Sequence, residues 1–197
     1  VGLRKLRSAY AGSAIRLRRS TDNVEQDFGF SGTDLDITSI STFLGGATGF
    51  CKIMYDQSGN GNNVSQTNAS SQPSLTLSGI NGKPTLHFTN TQFMTNTVNF
   101  NSSPFTAIYT ASQTGPNRNR LLSSVANNWL LGWWSGRKQQ AYYVGWVNNP
   151  NVTADNGVYV YSGTSDGSLG KIYENGTLLA SNNGGVNGPN GIQLNGS

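Results

Sequence analysis

The chain has 197 residues and a net charge of +4, and only 11% of its residues are charged. This length suits one well-buried domain, so we expect residues 1–197 to form a single β-sandwich domain. No apolar run approaches the about 20 residues that span a bilayer, which argues against membrane insertion.

The basic residues are crowded at the start of the chain. Six of them fall within residues 4–19, and six acids follow within residues 22–56. Because opposite charges that are close in sequence can neutralise each other, we expect the two clusters to pair with one another. The sequence therefore predicts no nucleic acid partner.

Short apolar or alternating runs, separated by glycine, asparagine and serine, follow one another along the chain. This pattern predicts an all-β antiparallel sandwich or jelly roll. In residues 36–45, an N-capping Asp36, apolar residues at helical spacing and a terminal Gly45 predict one short helix. Asn-Gly pairs within residues 80–83 and 174–177 predict two type I′ hairpins. The predicted strands are residues 14–19, 50–55, 74–77, 85–88, 105–111, 120–125, 129–134, 139–147, 158–162, 170–174 and 177–181.

Residues 55–63 read YDQSGNGNN and allow several kinds of chemistry. Glycines can approach an anion closely, but a phosphate-binding loop needs a following helix and usually a lysine. Ser58 could act as a nucleophile only with a base beside it. Gly59 and Gly61 tolerate positive φ, and Asp56 can accept a bond from an amide two residues on. We therefore interpret Asp56, Ser58, Gly59 and Gly61 as a structural corner.

Cys51 and His87 are the only residues of their types. A lone thiol in an apolar run is usually a small buried hydrophobe, so we expect Cys51 to be buried and reduced. His87 has no second histidine or cysteine pair with which to form a zinc site. The sequence predicts no metal site and no cofactor.

Two segments together carry a family resemblance. Residues 3–30, LRKLRSAYAGSAIRLRRSTDNVEQDFGF, precede a short helical spacer and then YDQSGNGNN. This arrangement resembles the opening half of concanavalin A-like, laminin-G-like jelly-roll modules. More narrowly, it is similar to the catalytic domain of family 54 arabinofuranosidases, of the arabinofuranosidase B type. The resemblance implies a concanavalin A-like β-sandwich, and such modules also occur in phage and other virion structural proteins.

Hydrolysis of a glycoside normally requires two carboxyl groups about 5–9.5 Å apart. Beyond residue 60 the chain offers only Asp155, Asp166 and Glu174. We expect Glu174 to be solvated at a hairpin turn and the two aspartates to lie in loops. The catalytic carboxylate segments of the family match no residue here, and one cysteine cannot form the adjacent-cysteine disulfide associated with its sugar pocket. We therefore expect no hydrolase activity.

Aromatic residues are concentrated in residues 129–146, which contain all four tryptophans together with Tyr142 and Tyr143. Alternation along a strand would send one set to the core and another to the surface. Exposed aromatic faces beside amide groups suit sugar rings, although aromatic pairs also stabilise sheets in general. The candidate carbohydrate-binding residues are Trp129, Trp133, Trp134, Tyr142, Trp146 and Asn148.

These observations favour a non-catalytic adhesion module that binds a glycan at a virion surface or in an extracellular assembly such as a fibre, tail or capsid decoration. An arabinofuranosidase-like hydrolase and a purely structural assembly protein are the alternatives. Residues 192–194 resemble the start of one more strand. If the closing strand of the jelly roll is lacking, residues beyond Ser197 or a neighbouring subunit would complete the sheet by strand addition.

Overall fold

The computed structural model describes residues 1–89, 91–115 and 119–196. Antiparallel sheets and one short α-helix make up its regular structure, which confirms the predicted all-β class. The chain divides into two compact units, Val1–Asn96 and Thr97–Ser197. That the two units form one domain stays a prediction. Within the described residues no helix combines the length and apolarity needed to cross a membrane.

The elements of the first unit are β1 (Ile15–Arg19), β2 (Glu25–Phe28), β3 (Phe30–Ser31), β4 (Asp34–Leu35), α1 (Ile37–Leu44), β5 (Gly49–Met54), β6 (Val64–Ser65), β7 (Ser74–Thr76), β8 (Thr85–His87) and β9 (Met94–Asn99), whose last residues enter the second unit. The unit is built around β5, with β1 on one side and β6 and β7 on the other. Beyond these, β2 pairs with β1, β8 pairs with β7, and β3 pairs with β4. Two short 3-10 helices, Ala69–Ser71 and Ile80–Gly82, lie in its loops.

Helix α1 begins and ends where the sequence predicts. The Asp36 carboxylate accepts a hydrogen bond from the Ser39 amide at 3.1 Å, and Gly45 ends the helix in the left-handed region. Ile40 and Leu44 are buried, as helical spacing requires of one face. Two ion pairs join the basic and acidic clusters, Arg16–Asp27 at 2.7 Å and Arg19–Asp22 at 2.6 Å, whereas Glu25 and Asp34 pair with lysines outside the basic cluster.

Cys51 lies on β5 with no exposed surface. Burial raises the pKa of its thiol to about 12, because a thiolate there would lose its hydration. We expect a thiol reagent to label Cys51 slowly at neutral pH and rapidly once the chain is unfolded in denaturant. Rapid labelling of the folded protein would show that β5 is not packed in this way.

The second unit is a sandwich of two antiparallel sheets. The strands are β10 (Phe105–Ser112), β11 (Arg120–Ser123), β12 (Trp129–Trp134), β13 (Arg137–Tyr143), β14 (Trp146–Asn148), β15 (Val158–Ser165), β16 (Gly170–Glu174), β17 (Thr177–Asn182) and β18 (Asn190–Gly196). One sheet contains β14, β13, β12, β11 and β18 in that order, and the other contains β10, β15, β16 and β17. Their facing side chains form an aromatic core in which Trp129 stacks on Tyr143 at 5.4 Å.

Two sequence predictions need correction. The strand predicted over residues 139–147 is two strands, because the chain reverses at Val144, whose φ is 62°. The Asn-Gly pair of residues 174–177 does close a two-residue hairpin, with Glu174 opposite Thr177. The pair in residues 80–83 instead forms the tip of a longer loop, since the pairing of β7 with β8 ends at Thr76 and Thr85.

Candidate functional site

Two of the acidic residues, Asp155 and Glu174, bond consecutive residues of one strand. All nine lie within the described residues. Asp34 and Asp36 line a groove of about 250 Å³. Asp34 forms an ion pair with Lys83, and Asp36 caps α1. The seven acids with local structural partners are Asp22, Glu25, Asp27, Asp34, Asp36, Asp56 and Asp166.

Asp155 is held by a lysine and a tyrosine of the second unit. Its carboxylate accepts hydrogen bonds from Lys138 Nζ at 2.7 Å and from the Tyr159 hydroxyl at 2.8 Å. Lys138 also donates to the Tyr159 hydroxyl, which closes a three-membered network. The Asp155 side chain is 51% exposed whereas that of Lys138 is only 12% exposed, so the carboxylate faces solvent from a fixed support.

This environment keeps Asp155 ionised. The hydrogen bond from Lys138 lowers the pKa of Asp155 to about 2, and bonds from the Gly157 amide and Tyr159 act in the same direction. Partial burial alone would lower the pKa of Lys138, but its bonds to Asp155 and Tyr159 raise it. At neutral pH this pair therefore presents an anion and a cation side by side.

Glu174, at the end of β16, lies opposite Tyr161 of β15. The Tyr161 hydroxyl donates to Glu174 Oε2 at 2.5 Å, and Gln139 Nε2 donates to Glu174 Oε1 at 2.9 Å. Tyr161 is fully buried, and the loss of hydration is the main reason why the pKa of its hydroxyl is raised. The hydrogen bond to Glu174 raises this pKa further. Glu174 is half-buried and oriented through both oxygens, which corrects the expectation of a plainly solvated turn residue.

The side-chain partners of these two acids, Lys138 and Gln139, are consecutive residues at a β-bulge. Gln139 is the extra residue of β13, because Gly132 pairs with Gln140 and Trp133 pairs with Lys138. In a regular strand, consecutive side chains point to opposite faces, whereas a bulge allows Lys138 and Gln139 to reach the same side. Gln139 has a φ of 65°, which accords with this local distortion.

Tyr159 and Tyr161 complete the arrangement from the facing sheet. They lie two residues apart on β15, with ring centroids separated by 6.0 Å, and each donates to one of the two acids. We call Asp155 and Glu174 the carboxylate pair. Two carboxyl groups are what glycoside hydrolysis normally uses, one to transfer a proton and one to attack or to activate water.

The ion pair between Lys138 and Asp155 predicts how the pKa of Asp155 should respond to the loss of Lys138. Because the folded-state pKa of Asp155 is depressed, the stabilising ion pair is complete above the ordinary aspartate pKa and is lost as the pH falls through about 2. Replacing Lys138 with methionine should move the titration midpoint of Asp155 upward, towards about 3.9. Carboxyl carbon NMR measures this midpoint directly, and an unchanged value would contradict the assigned cause.

The structure separates the predicted sugar-binding aromatics into two groups. Trp129 and Trp133 have no exposed surface, so they belong to the core and cannot stack on a sugar, which corrects the prediction for these two. Trp134, Tyr142 and Trp146 are half-buried and in mutual contact, with centroid distances from Trp146 of 5.4 and 5.0 Å. We call these three the outer aromatic cluster.

Asn148 lies on β14 close to this cluster in sequence. Its Nδ2 donates to the Gln139 carbonyl at 2.8 Å, so the amide nitrogen already has a structural partner. The neighbouring Gln140 is fully buried, and its Nε2 donates to two backbone carbonyls. These amides therefore support the strands around the carboxylate pair.

The glycine-rich corner lies in the first unit. Asp56 Oδ1 accepts a hydrogen bond from the Ser58 amide at 2.8 Å, and Asp56 Oδ2 accepts from the Asn62 amide at 3.0 Å and from Ser58 Oγ. Gly59 and Gly61 both have positive φ. In the same loop, buried Gln57 accepts from the Leu6 amide and donates to the carbonyls of Gly2 and Arg4. The corner thus anchors the first residues of the chain.

Residues 2–128 match the family model described as α-L-arabinofuranosidase B, catalytic. The chain belongs to this family. The carboxylate pair lies beyond the matched residues, whereas the corner, α1 and the paired charged clusters of this arabinofuranosidase B family member lie within them. The match therefore shows the family without assigning the pair a role.

Solved structures of arabinofuranosidases share the fold. A GH54 α-L-arabinofuranosidase soaked with a cyclic sulfate inhibitor aligns with 16% identity and a TM-score of 0.60. An arabinofuranosidase complexed with arabinofuranosyl-α-1,2-xylobiose aligns with 15% identity and a TM-score of 0.61. Each alignment covers 97% of this chain and 53% of the other, so the chain spans about half the length of these proteins. No curated protein sequence matched the chain.

Proposed function

We propose that this chain is a glycoside hydrolase of the arabinofuranosidase type and that Asp155 and Glu174 are its carboxylates. The observation that carries the proposal is that these two acids bond consecutive residues of one bulged strand, Lys138 and Gln139, and two tyrosines of β15, Tyr159 and Tyr161. Membership of the arabinofuranosidase B family supports the choice of sugar.

The two acids have different surroundings and so different roles. Asp155 lies beside a lysine and is ionised, which suits a nucleophile or a base that activates water. Glu174 accepts hydrogen bonds from Gln139 and Tyr161, neither of which is a cation, and we assign to it the transfer of a proton to the leaving-group oxygen. The bond from the anomeric carbon to that oxygen breaks as a bond forms from the same carbon to an oxygen of Asp155, or to a water whose proton Asp155 takes, so that the negative charge passes from Asp155 to Glu174.

A chromogenic substrate tests the proposal. Pure protein should release 4-nitrophenol from 4-nitrophenyl α-L-arabinofuranoside, and Asp155→Asn should lower kcat by about 100-fold or more because it removes the ionised carboxylate. The matching β-D-xylopyranoside serves as the control substrate. Absence of turnover with both substrates, or full activity in Asp155→Asn, would exclude the proposed chemistry at this pair.

Glycan binding without cleavage is the second candidate, and the half-buried outer aromatic cluster favours it. Aromatic faces bind the C–H groups of sugars, so Trp134→Ala or Trp146→Ala should weaken binding to arabinoxylan oligosaccharides by about 1–3 kcal/mol. Calorimetric titration, with circular dichroism to verify folding, measures the loss. Unchanged affinity in both variants would remove this surface from consideration. The virion or extracellular setting stays a prediction.

A further inference from the structure

The edge strand β10 has none of the features that usually keep sheet edges from pairing. All eight of its residues pair with β15 without a register shift, from Phe105 opposite Ser165 to Ser112 opposite Val158. The strand contains no charged residue and no proline. In the described part of the chain no strand pairs with its other side. Native proteins normally protect such an edge by shortening it, charging it, bulging it or covering it.

Other edges of the same molecule do carry such protection. Strand β2 has four residues and two acids, Glu25 and Asp27. Strand β14 has only three residues. Strand β17, the opposite edge of the sheet that contains β10, is interrupted by a register shift and ends at Asn182, whose side chain bonds the Val147 carbonyl. The unprotected length of β10 is therefore particular to this strand.

The exposed side chain at the middle of β10 is also apolar. Ile108 is 66% exposed and lies opposite Ser162 on the outer face of the sheet. Val160 and Val158 of β15 are exposed as well, so the outer surface around this edge combines apolar side chains with the uncharged Thr106 and Thr110. We propose that β10 pairs antiparallel with β10 of a second copy of this chain, joining two four-stranded sheets into one sheet of eight.

The geometry of the strand restricts the register of this pairing. Two identical antiparallel strands are related by a two-fold axis, and residues directly opposite each other must lie on the same face. A register centred on Ile108 satisfies both conditions and places Thr106 opposite Thr110, and Ala107 opposite Tyr109. It packs each exposed Ile108 against its symmetry mate and brings no like charges together, because the strand has no charged residue.

Sedimentation velocity of the 197-residue chain over a concentration series is the test. We expect a reversible dimer, and we expect Ile108→Lys to raise its dissociation constant about tenfold or more, because the register places two lysines directly opposite each other. The matched control is Leu178→Lys, which adds the same charge at a 50% exposed position on the opposite edge strand and should leave the dimer intact.

Circular dichroism and thermal unfolding establish that both variants fold. A second readout is hydrogen exchange, in which alternate β10 amides should become protected as dimer forms. A wild-type chain that stays monomeric throughout the series would overturn the proposal. The proposal would also be overturned if Ile108→Lys dimerised with the wild-type affinity, or if Leu178→Lys weakened the dimer as much as Ile108→Lys does. Arabinofuranoside turnover is measured separately, since dimerisation and catalysis can fail independently.

Discussion

Alanine in place of Trp133 is expected to lower the free energy of unfolding by about 3–5 kcal/mol, as for other large aromatic residues truncated in a core. Trp133 has no exposed surface, and its ring contacts Tyr161 at 4.9 Å and Tyr159 at 6.0 Å between centroids. Removing it leaves a cavity beneath both tyrosines that hold the carboxylate pair. Urea unfolding followed by circular dichroism measures the loss.

The adjacent Trp134 provides the control. It has the same side chain on the same strand but is half-buried and packs against Trp146. Truncating it should cost about 1 kcal/mol, because most of the lost contact is with one neighbouring ring. Equal losses in Trp133→Ala and Trp134→Ala would show that the two faces of β12 are not distinguished as described.

Glutamine in place of Glu174 is expected to lower kcat for arabinofuranoside hydrolysis by about 100- to 10,000-fold, the range expected for a general acid. The substitution keeps the size of the side chain and one oxygen for the Tyr161 hydroxyl, so the fold should persist. Asp166→Asn is the matched control, because Asp166 bonds the amides of Ser168 and Leu169 within its own loop. A comparable loss in both variants would indicate a general effect on the fold.

Local signals in the sequence predicted the elements that depend on local chemistry. Strand β12 has the predicted bounds, Trp129–Trp134, and α1 lies between the predicted cap and terminal glycine. The second Asn-Gly turn closes the predicted hairpin, because asparagine and glycine adopt the positive φ that this turn requires. These features need only a few neighbouring residues.

Elements that depend on distant partners were missed. Strand β2 reads EQDF and has no apolar alternation; it forms through pairing with β1, which the Arg16–Asp27 bond strengthens. The bulge at Gln139 has no signature in the sequence. At this bulge the consecutive residues Lys138 and Gln139 bond Asp155 and Glu174. The carboxylate pair could therefore not be found from the spacing of Asp155 and Glu174 along the chain.

The most direct measurement of the central claim is proton NMR of arabinofuranosyl-α-1,2-xylobiose incubated with the wild-type chain and with the double variant Asp155→Asn/Glu174→Gln. We predict that free arabinose and xylobiose accumulate with the wild-type chain and not with the double variant. The anomer of arabinose that appears first distinguishes attack by Asp155 from attack by water. Release of arabinose at the same rate by both proteins, or by neither, would contradict the assignment of the carboxylate pair.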